Sequence, residues 1–157
     1  AAEALERAGE ELRRNFGPRL NARTAEIFSG LTGGKYTNVN VSKEFGIRVL
    51  ENGDTYYRDG GFLSNGTVDQ AYFALRLAIA EILTEAEGEM LPLLLDDIFE
   101  QYDDKRAEEG LRFLKQYSEE KGGQVLLFSC HGRVLDMAEE VAPAAGFMRL
   151  SECSNKK

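Results

Sequence analysis

A run of leucines that ends in two adjacent carboxylates constrains this chain more than any other stretch. Residues 91–95 are Leu-Pro-Leu-Leu-Leu, and Asp96 and Asp97 follow directly. A short continuous apolar run predicts a strand buried on both faces, as in a parallel sheet covered by helices. Pro92 is compatible with the start of such a strand, where no ladder hydrogen bond is lost. Because ligand sites of open α/β sheets lie just beyond the carboxyl ends of strands, the two acids are predicted to lie at such a site.

The two acids suit a hard cation. Mg²⁺ is bound in proteins by one or two carboxylates together with phosphate oxygens and water. Neighbouring strand residues point to opposite faces, so Asp96 and Asp97 are expected to have different roles. An acidic loop without any ligand is the alternative that this stretch alone leaves open.

Composition narrows the class of protein. The 157 residues are enough for one domain with a core, and the net charge of −8 argues against a broad surface for nucleic acid or anionic membranes. The sequence shows neither a transmembrane run nor a signal peptide, and it lacks an initiator Met, so we expect a piece of a longer chain. Cys130 and Cys153 are too few for a disulfide framework and fit a cytoplasmic location. With a single His, they also argue against a zinc site.

Residues 1–31 are predicted to be helical. Residues 1–15 are polar and favour a helix, which Pro18 is expected to interrupt. Pro18 then begins a second helix that ends at the glycines 33–34. A short surface helix and the remnant of a coiled coil both fit the first segment.

Residues 36–58 are predicted to form an antiparallel β-meander. An Asn-Gly pair at 52–53 is its strongest hairpin signal. The three β-rich segments are 36–41, 45–50 and 55–58.

Residues 62–150 are predicted to alternate helix and strand. The helices are expected at about 68–85, 104–121 and 133–141, and the strands at 91–95, 124–129 and 147–150. Such alternation implies parallel pairing. The predicted fold class is therefore α/β, with a parallel core sheet flanked by helices, an N-terminal helical segment and an antiparallel β-meander, all in a single domain.

Four short motifs follow one another in a set order. Residues 63–70 open a helix, residues 93–97 end a strand, Asp103 lies seven residues after Asp96, and His131 ends the next strand. This order resembles the C-terminal part of an ABC-type ATPase head. Such heads occur in structural-maintenance-of-chromosomes (SMC) proteins and in the ATPase subunits of SbcCD-like repair nucleases, and the chain looks most similar to the YhaN-type branch. The resemblance covers nearly all of residues 1–157, with residues 1–31 as a coiled-coil remnant.

The resemblance implies a role for each motif. Asp96 would hold Mg²⁺, Asp97 would orient the attacking water, and His131 would contact the γ-phosphate of ATP. Asp97 stands where the family usually has Glu, which is one methylene longer. The shorter side chain bears on the rate of hydrolysis. Asp103 would bind ATP across a dimer of heads. The signature loop would bind the ATP of the partner head through Leu63, Ser64, Asn65, Gly66 and Gln70.

Each motif also has a purely structural interpretation. Thr67 with Gln70 fits a capping box, and Asp103 fits a helix N-cap. A single His after a strand fits a structural or exposed residue. Cys130 is expected to point away from His131, because adjacent residues on an extended segment face opposite sides.

One expected part of such a head does not occur in the chain. The phosphate-cradling loop Gly-x-x-x-x-Gly-Lys-Ser/Thr is absent from the sequence, and the resemblance places it in a separate N-terminal lobe. The implied cofactors are ATP and Mg²⁺. The implied partners are the chain's own N-terminal Walker A lobe and a second head in a homodimer, with DNA and a nuclease subunit as further candidates and no membrane.

The implied activity is ATP hydrolysis in DNA repair or chromosome maintenance, with this fragment inactive alone. A catalytically decayed interaction or scaffold module of the same fold is the alternative. Asp97 in place of Glu and the missing phosphate loop favour this alternative, whereas the intact Asp96, Ser64, Gly66 and His131 oppose it. A receiver-like or other doubly wound domain would explain the two acids but gives no reason for the β-meander before the signature loop.

Overall fold

The computed structural model describes residues 2–42, 46–85 and 91–150, with side chains described from residue 16 onwards. Its helices are α1 (Ala2–Leu31), α2 (Asn65–Glu85), α3 (Asp104–Lys121) and α4 (Gly132–Val141), with a short 3-10 helix at Gly60–Phe62. Its strands are β1 (Tyr36–Val41), β2 (Ile47–Glu51), β3 (Arg58–Asp59), β4 (Leu93–Asp96) and β5 (Val125–Phe128). Among the described residues, none of the helices combines the length and the apolar character needed to cross a membrane.

Helix α1 is one continuous element, so the predicted break at Pro18 is wrong. The helix runs for 30 residues with Pro18 inside it. An interior proline costs a helix about 3 kcal/mol, because it removes one hydrogen bond and crowds the preceding turn. Burial of Ile27, Phe28 and Leu31 in the core favours helix in the second half of α1. The helix ends at Leu31, just before the glycines 33–34 that were predicted to stop it. The Gly34 amide donates to the Ser29 carbonyl oxygen at 2.8 Å, and the Gly34 φ of 80° suits glycine.

The predicted antiparallel meander is confirmed. Strand β2 pairs with β1 on one side and with β3 on the other, and the partners Val39 and Val49 are both buried. Strand β3 is shorter than expected and begins only at Arg58. Phe45, the first residue of the predicted second strand, lies outside the described residues. Helix α1 packs on this sheet, and Phe28 stacks on Tyr36 with ring centroids 5.0 Å apart.

Helix α2 begins at Asn65, three residues earlier than predicted, and most of its apolar side chains are buried as expected. It also carries a buried acid, Glu81, which accepts two hydrogen bonds from Arg23 of α1 at 2.5 and 2.8 Å. This ion pair joins the N-terminal helix to the centre of the fold.

Strands β4 and β5 are parallel neighbours, as the alternation of helix and strand predicted. Burial of β4 on both faces was predicted and is wrong. Leu95 belongs to the core, whereas Leu94 is 70% exposed and Phe128 of β5 is 50% exposed. The described helices cover one face of the strand pair, and its other face is open.

The predicted last strand at 147–150 is not formed. Met148 and Leu150 are 82% and 87% exposed. A strand requires a hydrogen-bonding neighbour, and these residues have none among the described strands.

Candidate functional site

The carboxyl ends of the two parallel strands bring the predicted acids and the single histidine to one edge. Asp96 is opposite Phe128 in the strand register, and the Asp97 amide donates to the Phe128 carbonyl oxygen at 3.0 Å. His131 follows three residues later as the N-cap of α4. Parallel pairing therefore places the carboxyl ends of β4 and β5 side by side. The resemblance to an ATPase head requires this arrangement, because Asp96, Asp97 and His131 must lie at one site.

Asp97 is held in an unusual backbone conformation. Its φ of 46° is in the left-handed region, and it is the one such non-glycine residue among those described. Its Oδ1 atom accepts a hydrogen bond from the Cys130 amide at 2.9 Å and another from Ser129 Oγ at 3.0 Å. These bonds from Cys130 and Ser129 lower the pKa of the Asp97 carboxyl, so it is ionised at neutral pH.

Asp96 differs from its neighbour in having a free carboxylate. Its side chain is exposed, and it forms neither a hydrogen bond nor an ion pair with any residue that the structure describes. Strand alternation puts Asp96 on the same open face as Leu94. An unpaired carboxylate at a strand end is the kind of ligand that Mg²⁺ takes, so Asp96 fits the predicted metal role.

The expectation that Cys130 points away from His131 is wrong. One ligand atom from each of Asp97, Cys130 and His131 lies within 4.8 Å of the others. The chain bends at Cys130, and the His131 amide donates back to Ser129 Oγ at 3.2 Å, so the segment is not extended. A hydrogen bond with Asp97 raises the pKa of the Cys130 thiol.

The predicted signature loop begins helix α2. Ser64 is its N-cap residue: its carbonyl oxygen accepts from the amides of Thr67 and Val68, and its hydroxyl lies 2.8 Å from Thr67 Oγ1. The alternative of a Thr67–Gln70 capping box is therefore wrong, because the helix starts one turn earlier. Gln70 is 2% exposed, and its amide donates to the Leu31 carbonyl oxygen at 3.1 Å.

The accessible part of this loop is small. Ser64 and Asn65 are exposed, Leu63 is half-buried and Gly66 is buried. A Cβ atom on Gly66 would lie 2.9 Å from the Gln101 carbonyl oxygen and 2.8 Å from Arg106 Nη1. Only glycine allows this close approach between the loop and the segment that follows β4.

Asp103 is the N-cap of α3, which confirms the structural interpretation of that motif. Its carboxylate accepts from the Arg106 amide at 2.9 Å. The Arg106 guanidinium reaches both predicted motifs, with Nη2 3.4 Å from Thr67 Oγ1 and Nε 3.6 Å from Asp103 Oδ2. The signature loop and the Asp103 loop are therefore neighbours in the fold.

Arg133 is a site residue that sequence reasoning missed. Its guanidinium donates to the carbonyl oxygens of Tyr102 and Phe99 at 2.8 and 3.3 Å and to Asp104 Oδ1 at 2.8 Å. It therefore ties the helix after His131 to the segment between β4 and α3. The only signal in the sequence is a cation two residues after His131, which is not specific.

Sequence comparison relates the chain to a bacterial protein. Over 120 residues, or 76% of this chain, it is 38% identical to YhaN of Bacillus subtilis (strain 168), a protein described as uncharacterized. The chain covers 12% of the length of YhaN. No protein-family model matches it.

Structural comparison relates the chain to SMC heads. The SMC head domain from Thermotoga maritima matches with a TM-score of 0.55 and 25% identity, over 83% of this chain and 45% of that one. A structure from work on ATP-driven dimerisation and DNA-stimulated activation of SMC ATPases matches with a TM-score of 0.63 and 18% identity, over 83% and 78% of the two chains. The Smc head of Pyrococcus furiosus bound to the C-terminal domain of ScpA matches with a TM-score of 0.60 and 16% identity, over 87% and 34%.

Proposed function

The chain belongs to the same family as YhaN and has the fold of an SMC-type ATPase head, and we propose that it is the C-terminal lobe of such a head. In this proposal it binds ATP with Mg²⁺ and hydrolyses it after joining an N-terminal lobe that carries the Walker A loop. A second copy of the head completes the site in a homodimer.

The observation that carries the proposal is the grouping of unlike polar groups at the ends of β4 and β5. Asp96 has an unpaired carboxylate for the metal, and the Asp97 carboxylate is ionised and pinned by Ser129 and Cys130. Phosphoryl transfer requires mainly positioning and charge stabilisation, which such groups supply. Asp97 orients a water molecule as general base, and His131 donates a hydrogen bond to a phosphate oxygen.

The open face of the β4–β5 sheet supports the proposal that an N-terminal lobe docks on this chain. Leu94, Leu126 and Phe128 are 70%, 37% and 50% exposed, although parallel sheets are ordinarily covered on both faces. Asp96 shares this face, so a lobe docked here would bring its phosphate loop beside the metal ligand. We therefore assign the face to the Walker A lobe.

The exposed part of the signature loop supports the proposal that a second head binds to this chain. Ser64 and Asn65 are exposed at the N-terminus of α2, where free amides and the helix dipole favour a phosphate. Leu63 and Gly66 shape the loop, the buried Gln70 anchors its helix, and Asp103 extends the same surface through Arg106. We propose that this surface contacts the ATP held by the partner head.

The biological setting is proposed from the relatives. SMC-type heads as neighbours favour DNA repair or chromosome maintenance in the cytoplasm, with DNA and a nuclease subunit as candidate partners. The net charge of −8 favours a DNA contact that is shared with other parts of the protein.

Asn65→Arg is the variant that tests the signature loop. Asn65 is exposed and is the first residue of α2, whereas Ser64 caps the helix and its replacement would also cost about 0.5–2 kcal/mol of stability. The two-lobed protein is mixed with ATP and Mg²⁺, and its mass is followed by light scattering. We expect Asn65→Arg to lose ATP-driven dimers without a change in melting temperature.

Thr55→Arg is the matched control, because it adds the same side chain at an exposed turn away from the loop. It should dimerise like the wild type. Normal dimers of Asn65→Arg would refute the role of the loop. Dimers without ATP turnover in the wild type would instead favour the alternative of a catalytically decayed scaffold.

A further inference from the structure

The ends of β4 and β5 carry a second set of ligands besides Asp96. One ligand atom from each of Asp97, Cys130 and His131 lies within 4.8 Å of the others. These atoms are a carboxylate oxygen, a thiol sulfur and an imidazole nitrogen. The ligand atoms of a tetrahedral zinc site lie about 2.0–2.3 Å from the ion and therefore roughly 3.3–3.8 Å from one another. Side-chain rotations that bring the three atoms closer than 4.8 Å would let them share one cation.

The fold orients the Asp97 carboxylate and the backbone of residues 129–131 in advance. Ser129 Oγ donates to Asp97 Oδ1 at 3.0 Å and accepts from the His131 amide at 3.2 Å. The Cys130 amide donates to the same carboxylate oxygen at 2.9 Å. Such outer contacts fix the direction of a ligand and are a regular part of metal sites.

The donor set selects the kind of cation. Sulfur and imidazole suit Zn²⁺ and similar transition metals, whereas Mg²⁺ requires oxygen ligands. A thiolate and a carboxylate bring two negative charges, which one divalent cation balances. Cys130 and His131 are adjacent on a bend at the surface, so a fourth position would stay open to solvent.

We propose that Asp97, Cys130 and His131 form a three-ligand site for Zn²⁺ or a cation of the same class. On binding, the Cys130 thiol releases its proton to solvent and the sulfur forms a bond to the metal, with no change of oxidation state. The cysteine and histidine counts argued against zinc because four such ligands are usual in structural sites, but here Asp97 supplies the third ligand.

The site has a consequence that rests on the proposed function. Asp97 and His131 are the groups assigned to water and phosphate, so a cation that holds both makes them unavailable. Zn²⁺ therefore inhibits ATP turnover at the site, and it acts through the Cys130 thiol, which has no assigned part in turnover. The Cys130 amide, which donates to Asp97, is kept in Cys130→Ser.

Cobalt tests the site without any need for ATP turnover, because thiolate-bound Co²⁺ absorbs in the near ultraviolet and tetrahedral Co²⁺ in the visible. The 157-residue chain is titrated with Co²⁺ under reducing, oxygen-free conditions and then with Zn²⁺. We expect one equivalent of bound Co²⁺ with both bands, displaced by Zn²⁺. Cys130→Ser should abolish the charge-transfer band, whereas Cys153→Ser, the matched variant at the other cysteine, should keep it.

Two further variants examine the histidine ligand and the outer contact from Ser129. His131→Ala should remove the tetrahedral visible bands. Ser129→Ala should weaken Co²⁺ binding by about 10- to 100-fold, as the loss of an outer contact does elsewhere. The proposal is overturned if no charge-transfer band forms, or if the band survives Cys130→Ser and depends on Cys153.

Turnover of the two-lobed protein tests the consequence. Zn²⁺ should inhibit the wild type at concentrations at least about tenfold lower than those needed for Cys130→Ser, since a lost ligand removes much of the affinity. Equal inhibition of the two proteins would overturn the inhibitory role. Absence of turnover in every protein would count against the proposed ATPase, while the cobalt result would still decide the metal site.

Discussion

Replacing Arg23 by alanine should destabilise the fold far more than the loss of an ordinary surface ion pair. Glu81 has a side chain only 5% exposed, and Arg23 donates two hydrogen bonds to it at 2.5 and 2.8 Å. In Arg23→Ala, the remaining cation near this buried carboxylate among the described residues is Lys121, whose Nζ is 4.0 Å away. Breaking a buried pair costs roughly 3–5 kcal/mol.

The expected magnitude is smaller than that range because Arg23 is itself 30% exposed. We expect a loss of about 2–3 kcal/mol in the free energy of unfolding. For a domain of this size that corresponds to a fall in melting temperature of roughly 5–10 °C. Urea unfolding of the 157-residue chain, followed by circular dichroism at pH 7, measures the difference.

Arg112→Ala is the matched control. Arg112 pairs with Glu108 one turn earlier in α3, and the two side chains are 63% and 47% exposed. Such a pair contributes about 0.3–0.5 kcal/mol. A loss in Arg23→Ala no larger than that in Arg112→Ala would refute the reasoning.

The loss of stability in Arg23→Ala should also depend on pH and should be smaller in acid. Burial alone raises the pKa of Glu81, but the hydrogen bonds and charge of Arg23, with the charge of Lys121, outweigh it, so the pKa lies below 4.5. A carboxyl with a lowered pKa contributes stability above its unfolded value and loses it as the pH falls through the folded value. Without Arg23, burial holds the pKa of Glu81 higher in the variant than in the wild type. The difference between wild type and Arg23→Ala should therefore shrink as the pH falls from neutral through the pKa of Glu81, first in the variant and then in the wild type. A difference that grows in acid would contradict this account.

Three further predictions concern the site and the packing of α3. Asp97→Asn in the two-lobed protein should slow ATP hydrolysis about 10²–10⁴-fold and leave ATP binding intact, and unchanged turnover would move the catalytic role elsewhere. Asp103→Ala should cost about 0.5–2 kcal/mol in urea unfolding as a lost N-cap, whereas Asp103→Ser should keep the cap, so lost dimerisation in both variants would reveal a contact with the partner head. Gly110→Ala should lower stability by about 1–3 kcal/mol, because its Cβ would lie 2.5 Å from the buried Phe99 ring, and an unchanged melt would refute that packing.

The candidate site was only partly predictable from the sequence. The motif order identified Asp96, Asp97, Asp103 and His131, and the parallel pairing of β4 with β5 puts three of them at one edge. Arg133 was not predictable, because it acts through backbone carbonyl oxygens about thirty residues away in the chain. The local sequence around Arg133 does not predict the position of a backbone carbonyl oxygen that is distant in the chain.

The sequence by itself determined most of the elements and their order, apart from the break expected at Pro18 and the strand expected at 147–150. Helix caps such as Asp103, the glycines that end helices, and the period of apolar residues act within a few residues, so they can be read without the fold. The parallel pairing of the two strands followed from the alternation of helix and strand.

Only the tertiary structure decided which surfaces are covered and which side chains meet. Helix α1 continues through Pro18, with its second half buried in the core, and Gln70 faces the end of α1 rather than its own helix start. Leu94 and Leu95 have the same chemistry, yet one is open and the other buried. Burial and contact depend on partners far away in the chain, and local pattern carries no information about their positions.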